Sequence, residues 1–169
     1  MDRRALIAGG AATLGVAVIG GATAWWSNRA LASESAGGFD IDVPEEAWRG
    51  RLTEDEFQIL RMAKTEPAFS SPLNEMTDPG TYVCAACENP VYSSEHKFDS
   101  GTGWPSFWRP VSDDAVGTKP DYRLIIPQTE VHCARCGGHQ GHVFEDGPAP
   151  TGLRYCINGL ALNFVAATA

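Results

Sequence analysis

The 169-residue chain is poor in positive charge, with 13 Lys and Arg residues against 21 Asp and Glu residues. Residues 1–32 contain three of the basic residues and one of the acidic ones, which leaves ten basic and twenty acidic residues in the remainder. That remainder has a net charge of −10 and repels phosphate backbones. We therefore expect no nucleic-acid partner.

Helix signals are also scarce after Pro67, and the sequence has no repeat of useful period. The 18 Gly and 11 Pro residues predict many turns instead. Short segments of β-forming residues alternate with these turns, which predicts a mainly β fold, either an antiparallel barrel or a two-sheet sandwich. The predicted strands are 81–83, 122–126, 129–132, 142–144 and 160–165.

Two short helices are predicted before the strands. Residues 44–48 begin with Pro, which suits the first turn of a helix. Thr53 and Glu56 have the spacing of a capping box, and they predict a second helix from Glu54 to about Lys64. Its apolar face, which we expect to pack on the core, contains Phe57, Leu60 and Ala63.

The N-terminal segment has the three parts of an export signal. Arg3 and Arg4 precede an apolar run over residues 5–26, and Ala30-Leu31-Ala32 forms a small-x-small end. The paired arginines suggest the twin-arginine route, although Asp2 stands where Ser is usual. We expect residues 1–32 to direct export to the periplasm with cleavage near Ala32. An uncleaved membrane anchor is the alternative, because about 20 apolar residues can span a bilayer.

The domain organisation follows from this segment. Residues 33–50 are interpreted as a linker and N-terminal arm, because their first part is small, polar and rich in Gly. Residues 51–166 are interpreted as the single functional domain. A monomer is the default for a domain of this size.

Four of the five cysteines form two Cys-x-x-Cys pairs, each directly after a predicted strand. The pairs are Cys84 with Cys87, and Cys133 with Cys136. A two-residue gap lets a tight turn direct both sulfurs at one metal, and two such turns complete a tetrahedral Cys₄ site that prefers zinc. Because four thiolates leave no open position for a substrate, we expect one structural zinc ion and disfavour a catalytic one.

Two other interpretations of these cysteines are open. Exported proteins can form disulfides, although the twin-arginine route carries folded proteins that can load metal beforehand. A Cys-x-x-Cys pair can also be a redox dithiol, but that motif normally opens a helix in a βαβ context, which this sequence lacks.

The fifth cysteine, Cys156, has no partner in the sequence and is either an inert core residue or a nucleophile. In an extended segment Arg154, Cys156 and Asn158 share one face. A cation on that face, with His139 and His142 nearby, is expected to lower the thiol pKa. Together with a Gly-rich loop that presents Trp104, these residues indicate a cysteine nucleophile with an acid and an aromatic platform.

These segments resemble the B-type peptide-methionine sulfoxide reductases. The resemblance runs from about Leu52 to Phe164, and the two Cys-x-x-Cys pairs resemble the zinc site of many members. The segments that carry it are Phe98-Asp99-Ser100-Gly101, Gly103-Trp104-Pro105-Ser106-Phe107, His139 with Gly141-His142-Val143-Phe144, and Arg154-Tyr155-Cys156-Ile157-Asn158.

The resemblance implies reduction of methionine-R-sulfoxide, free or in oxidised proteins, with Cys156 as the nucleophile that becomes a sulfenic acid. It implies that His139 and His142 orient and protonate the sulfoxide oxygen. It assigns substrate binding to Trp104, which receives the terminal methyl group, and to Phe107. The positions that match its polarising and hydrogen-bonding residues are Arg154, Asp146 and Asn158.

The sequence departs from this family at Thr102, where many members have a resolving cysteine two residues before the tryptophan. With the other cysteines assigned to zinc, we expect an external reductant, either a thioredoxin-like protein or a small thiol. The alternative function is a zinc-stabilised β-domain that binds a partner through the Trp104 loop, with Cys156 inert.

Overall fold

The computed structural model describes residues 38–123 and 126–168, which fold into two antiparallel sheets with two short helices on one side. The export signal predicted over residues 1–32 lies outside the described residues. Within the described part of the chain, no helix has the length and apolarity needed to cross a membrane.

Both predicted helices are present. Helix α1 covers Glu45–Arg49, with Pro44 as its N-cap. Helix α2 covers Glu54–Leu60 and begins with the predicted capping box, in which the Glu56 backbone N–H donates to Thr53 Oγ1 and the Thr53 N–H donates to Glu56 Oε2. The prediction that α2 reaches Lys64 was wrong, because Ala63 adopts a left-handed φ of 51° that a continuing helix does not allow.

The strands form one sheet of three and one of six. The smaller sheet has the order β2-β1-β9 and the larger has the order β3-β4-β8-β7-β6-β5, with antiparallel pairing throughout. The strands are β1 Gly80–Cys84, β2 Pro90–Ser93, β3 Lys97–Phe98, β4 Ser106–Phe107, β5 Val116–Asp121, β6 Gln128–Cys133, β7 His139–Phe144, β8 Arg154–Ile157 and β9 Leu162–Ala166.

The predicted strand over residues 122–126 was wrong for its described residues, Tyr122, Arg123 and Ile126, which lie outside any strand. The Asp121 side chain accepts a hydrogen bond from the Arg123 backbone N–H, which turns the chain as β5 ends. Strand β5 lies before this turn and contains Pro120. Proline is tolerated there because β5 is the edge strand of the larger sheet.

An aromatic cluster joins the two sheets. Tyr82 of β1 packs edge-to-face on Phe107 of β4, and Tyr92 of β2 stacks on the same ring with centroids 4.4 Å apart. All three side chains are fully buried. Burial of large aromatic rings is a major source of folding free energy, so this cluster fixes the position of β4 and of the loop before it.

The described end of the N-terminal arm also packs against the body. The Phe39 ring lies edge-on to His132, and the Ile41 backbone N–H donates to the Arg135 carbonyl. Trp48 of α1 is 1% exposed. The arm therefore joins the fold from Phe39 onward, beside the second Cys-x-x-Cys turn.

Candidate functional site

The four paired cysteines meet at one end of the two sheets. Cys84 Sγ lies 3.8 Å from Cys136 Sγ, Cys87 Sγ lies 3.6 Å from Cys133 Sγ, and all four sulfurs lie within 4.8 Å of one another. A zinc ion with sulfur ligands at about 2.3 Å separates neighbouring sulfurs by about 3.8 Å. The cluster therefore fits tetrahedral zinc, as predicted, and its cysteines are free rather than disulfide-bonded.

This site is closed. Cys84, Cys133 and Cys136 are at most 1% exposed, and Arg135 crosses between the two turns to donate to the Cys87 carbonyl. Gly137 has a φ of 68°, and a Cβ there would collide with the Phe39 ring. The site connects the end of β1 in one sheet to the end of β6 in the other, so bound zinc would crosslink the two sheets.

The fifth cysteine lies in the middle of the larger sheet, on β8. Cys156 is paired directly with Ser106 of β4 on one side and with His142 of β7 on the other. The same row continues from His142 to Glu130 of β6. Because directly paired residues project from the same face of a sheet, this register brings a thiol, an imidazole and a carboxylate into line.

A cavity of about 170 Å³ opens over this row. Its walls include the predicted residues Trp104, His142, Cys156 and Asn158. Thr65, Gln128, Gly141 and Phe144 complete the lining. A methionine side chain ends in a flexible apolar thioether, and a compact cavity with one indole wall and a few polar groups suits a ligand of that kind.

The pKa of the Cys156 thiol differs in direction from the one expected from the sequence. Burial raises its pKa above the ordinary thiol value, and this effect exceeds the opposing hydrogen bond from Thr102 and the charge of Arg154. Thr102 Oγ1 lies 3.7 Å from the sulfur. The prediction of a lowered pKa was therefore wrong for the free protein, in which Cys156 is a neutral thiol near pH 7.

Arg154 has a smaller effect than expected because a second residue neutralises it. Its Nε and Nη2 atoms donate to the two oxygens of Asp146 at 2.8 and 2.7 Å. Its guanidinium also lies over the Phe144 ring, 4.4 Å from the centroid. The predicted residues Arg154 and Asp146 are thus brought together as a bidentate ion pair beside the thiol.

His142 is held by a carboxylate that the sequence analysis missed. Its Nε2 lies 2.9 Å from Asp121 Oδ2. Arg123 donates to both oxygens of the same carboxylate. Arg123, followed by His142, holds the pKa of the Asp121 carboxyl well below its usual range, so Asp121 is an anion that fixes the imidazole.

His139 has a different position from its predicted partner. It is 2% exposed, and its Nδ1 lies 3.3 Å from Glu130 Oε1. The register shift between β6 and β7 places one extra residue on β7, which brings two histidines three positions apart onto one side. Their ring centroids are 5.5 Å apart. His142 lines the cavity, whereas His139 lies behind it.

Trp104 and Asn158 share a support that was also missed, the segment around Glu66. The Trp104 Nε1–H donates to the Glu66 carbonyl at 3.1 Å, and the Glu66 N–H donates to Asn158 Oδ1 at 3.0 Å. The buried Glu66 carboxylate accepts from the backbone N–H groups of Gly159 and Leu160. Glu66 therefore links two walls of the cavity.

Phe107 does not contact the cavity. Its side chain is fully buried and stacks on Tyr92 in the core. It follows Ser106 on β4, and successive strand residues face opposite sides. The expectation that Phe107 binds substrate was wrong, and its role is to anchor the strand that ends the Trp104 loop.

Comparison with known proteins identifies the family to which the sequence is similar. Residues 52–166 match the SelR domain family. The chain is 48% identical over 126 residues to the peptide methionine sulfoxide reductase MsrB of Leptospira interrogans, which covers 75% of this chain and 96% of that protein. It is 51% identical over 125 residues to the MsrB of Thioalkalivibrio sulfidiphilus, which covers 74% and 91%, and 50% identical over 124 residues to that of Methanosarcina barkeri, which covers 73% and 87%.

Proposed function

This chain belongs to the SelR domain family, and we propose that it reduces methionine sulfoxide, specifically the R epimer, to methionine. The observation that carries this proposal is the direct pairing of Cys156 with His142 across β7 and β8, beneath a cavity walled by Trp104. A nucleophile, a proton donor and an apolar platform thereby face one small volume. The oxidised residue is proposed to be either free or part of a damaged protein.

The chemistry follows from those three groups. The Cys156 sulfur attacks the sulfoxide sulfur as its thiol proton passes to His142, and His142, held by Asp121, delivers one proton to the sulfoxide oxygen, so that no net proton is consumed. The oxygen passes to Cys156, which becomes a sulfenic acid, and two electrons pass to the substrate sulfur, which leaves as a thioether. Trp104 receives the terminal methyl group.

The raised pKa of Cys156 is the one observation that favours the alternative, a zinc-stabilised binding module with an inert thiol. Two features weigh against it. The thiol lines a cavity instead of the core, and it pairs with an imidazole whose carboxylate partner is ionised. A neutral resting thiol that transfers its proton only when substrate is bound remains compatible with catalysis.

Recycling is proposed to depend on an external thiol. Thr102 Oγ1 occupies the position beside the Cys156 sulfur, 3.7 Å away, and the other four cysteines form the zinc site. One reductant thiol condenses with the sulfenic acid and releases water, and a second thiol displaces Cys156 from the mixed disulfide. A thioredoxin-like protein supplies both thiols from one molecule, and a small thiol supplies them from two.

The experiment that tests the function compares purified R and S epimers as substrates, with dithiothreitol as the reductant. We expect turnover of the R epimer only, and a loss of at least about 10³-fold for Cys156→Ser. Equal activity of wild type and Cys156→Ser would refute the proposal. An unreactive Cys156 without turnover of either epimer would favour the binding module.

Mass spectrometry tests the recycling step. After one equivalent of sulfoxide and no reductant, we expect wild-type Cys156 to gain one oxygen and to form no internal disulfide. Thr102→Cys is the matched control, because it places a second sulfur beside Cys156 and is expected to form a disulfide. A wild-type disulfide from Cys156 to any zinc-site cysteine would contradict external recycling.

Export to the periplasm and a monomeric state are further parts of the proposal. The export proposal rests on the paired arginines, the apolar run and the Ala30-Leu31-Ala32 end of residues 1–32, and the monomer is the default for a domain of this size. N-terminal sequencing of the protein from a periplasmic fraction is expected to begin near Ser33. Full-length protein retained in the membrane fraction would favour the uncleaved anchor instead.

A further inference from the structure

A second, larger groove also includes Trp104 in its lining. It has a volume of about 460 Å³, and its apolar lining includes Phe69, Met76 and Phe98. Trp104 lines both this groove and the Cys156 cavity. The two spaces are therefore adjacent, with Trp104 as a wall of both. A chain bound in the cavity would meet this groove next.

Phe69 has an unusual conformation at the edge of this groove. Its side chain is 73% exposed, and its backbone φ is 64°. A bulky residue in the left-handed region is strained, whereas glycine adopts that conformation freely. An exposed phenyl ring offsets little of that strain by burial. Stability alone would favour glycine at this position, so the phenylalanine points to another use for the ring.

Phe69 is held in place by contacts with Gly103, the residue before Trp104. The Phe69 N–H donates to the Gly103 carbonyl at 2.7 Å, and Asn74 Nδ2 donates to the same oxygen at 2.9 Å. A Cβ at position 103 would lie 2.8 Å from the Phe69 ring and from its backbone nitrogen. Only glycine at 103 permits this approach, which holds Phe69 against the residue directly before Trp104.

Charge around the groove restricts what it can accept. Glu75 and Asp99 are both part of the lining, together with a single cation, Lys97. The Lys97 ammonium donates to the Asn74 carbonyl at 2.7 Å. The excess of negative charge opposes an acidic ligand, whereas the Phe69, Met76 and Phe98 side chains favour an apolar one.

We propose that the groove between Phe69 and Trp104 binds an apolar side chain of the substrate polypeptide, two residues from the oxidised methionine. Side chains at positions i and i+2 of an extended peptide share a face and lie about 7 Å apart, enough to pass one aromatic ring. The proposal rests on the function proposed above and adds a sequence preference to it. The substrate class is an extended peptide with an apolar residue, and not an acidic one, at this distance.

The test uses two series of short peptides in which Leu, Ala or Asp lies two residues before or two residues after methionine-R-sulfoxide. We expect wild type to favour Leu over Asp by about tenfold in kcat/KM in one series. Phe69→Gly suits the left-handed backbone and should reduce this ratio to within about twofold. The ratio is taken within each protein, so a general change in activity cancels.

Two further variants are the controls. Phe69→Tyr keeps the ring and should keep the wild-type ratio. Val165→Ala removes a 53% exposed apolar residue of β9 that is not part of the groove lining, and it should also keep the ratio. An unchanged ratio in Phe69→Gly would overturn the proposal. So would a change confined to the KM of a protein reductant, because Phe69 would then belong to the reductant's docking surface.

A direct binding measurement separates this proposal from the reductase activity. Calorimetry with the unoxidised methionine peptides should show the same preference for Leu over Asp in Cys156→Ser, and its loss in the Cys156→Ser, Phe69→Gly double variant. Equal affinities for the Leu and Asp peptides would overturn the subsite even if turnover occurs. A preference without turnover would retain the subsite and refute the reductase function.

Discussion

The chain uses its five cysteines in two opposite ways. At one end of the sheets, four sulfurs lie within 4.8 Å of one another in a closed cluster. In the middle of the larger sheet, Cys156 lies beside a cavity, and its sulfur has the Thr102 hydroxyl and the Arg154 guanidinium as polar neighbours. Both environments are largely buried, so burial alone does not decide what a cysteine does.

The two sites differ in what can stabilise a negative sulfur. Zinc neutralises several thiolates together, so the cluster needs no nearby cation of its own. The cation that acts on Cys156 is Arg154, and its guanidinium is already paired with Asp146. Cys156 therefore remains protonated until another group takes its proton. Four sulfur ligands in a closed metal site stabilise the fold, whereas a single thiol beside an open cavity can react with a substrate.

The largest expected difference between the two sites is in stability. Cys133→Ser removes one of four ligands from a site whose zinc affinity corresponds to about 10–16 kcal/mol in small zinc domains. We expect loss of bound zinc and a fall in Tm of about 20 °C or more. Metal analysis and a thermal melt measure both quantities.

Cys156→Ser is the matched control for that variant, since it changes the same atom at the other site. It should retain one zinc ion per chain and change Tm by no more than about 3 °C. A Cys133→Ser protein with full zinc and wild-type Tm would show that the cluster does not crosslink the sheets. The comparison between a structural and a chemical cysteine would then fail.

The next effect concerns how the imidazole is held at the chemical site. Asp121→Asn removes the charge that His142 and Arg123 both contact. We expect kcat/KM to fall by about 10²-fold, because general acid catalysis depends on an oriented proton donor. Steady-state kinetics with methionine-R-sulfoxide measures this. Asp113→Asn, at a 76% exposed carboxylate, should have no effect.

The effect of Asp121→Asn on the free energy of unfolding should depend on pH. Because the pKa of Asp121 is lowered in the folded protein, its carboxylate contributes stability above about pH 4 and loses that contribution as the pH falls toward the folded-state pKa. The free energy of unfolding should therefore differ most between wild type and Asp121→Asn near neutral pH. The gap should narrow in acid. A gap that widens below pH 4 would contradict the ion pair.

The two sites were not equally visible in the sequence. The zinc cluster could be predicted because its ligands come in pairs with a fixed local spacing. Both pairs have the same Cys-x-x-Cys pattern, so they could be assigned to one site. The residues that hold the walls of the Cys156 cavity have no such local spacing in the sequence. Asp121 meets a histidine 21 positions away, and Glu66 meets Gly159 across 93 positions. Only the register of the larger sheet and the turn after residue 158 bring them together.

In the fold, too, the elements determined by local sequence were predictable and the others were not. The capping box at Thr53 and the strand before Cys84 depend on local chemistry, and both were confirmed. Strands β3 and β4 have two residues each, too few for a periodic pattern, and were missed. The lowered pKa expected for Cys156 was wrong because a sequence shows the cation at 154 but not its ion pair or the extent of burial.

The smallest expected effect tests the hydroxyl beside Cys156. The Thr102 hydroxyl opposes the effect of burial on the thiol, and Ser100 Oγ lies 2.8 Å from it in a chain that continues to Ser106. Thr102→Val keeps the shape and removes the hydrogen bond. The pKa of Cys156 should rise, and alkylation of the thiol at pH 7 should slow by about fivefold, the equivalent of one hydrogen bond.

Iodoacetamide labelling of the zinc-loaded protein measures that rate, with Cys156→Ser as the background from the other cysteines. Thr102→Ser should restore the wild-type rate because it restores the hydroxyl. Faster alkylation of Thr102→Val would mean that the threonine acts by shielding the sulfur. The alkylation rate of Cys156 would then depend on how accessible the sulfur is and not on the hydrogen bond from Thr102, as expected for a cysteine in the closed cluster.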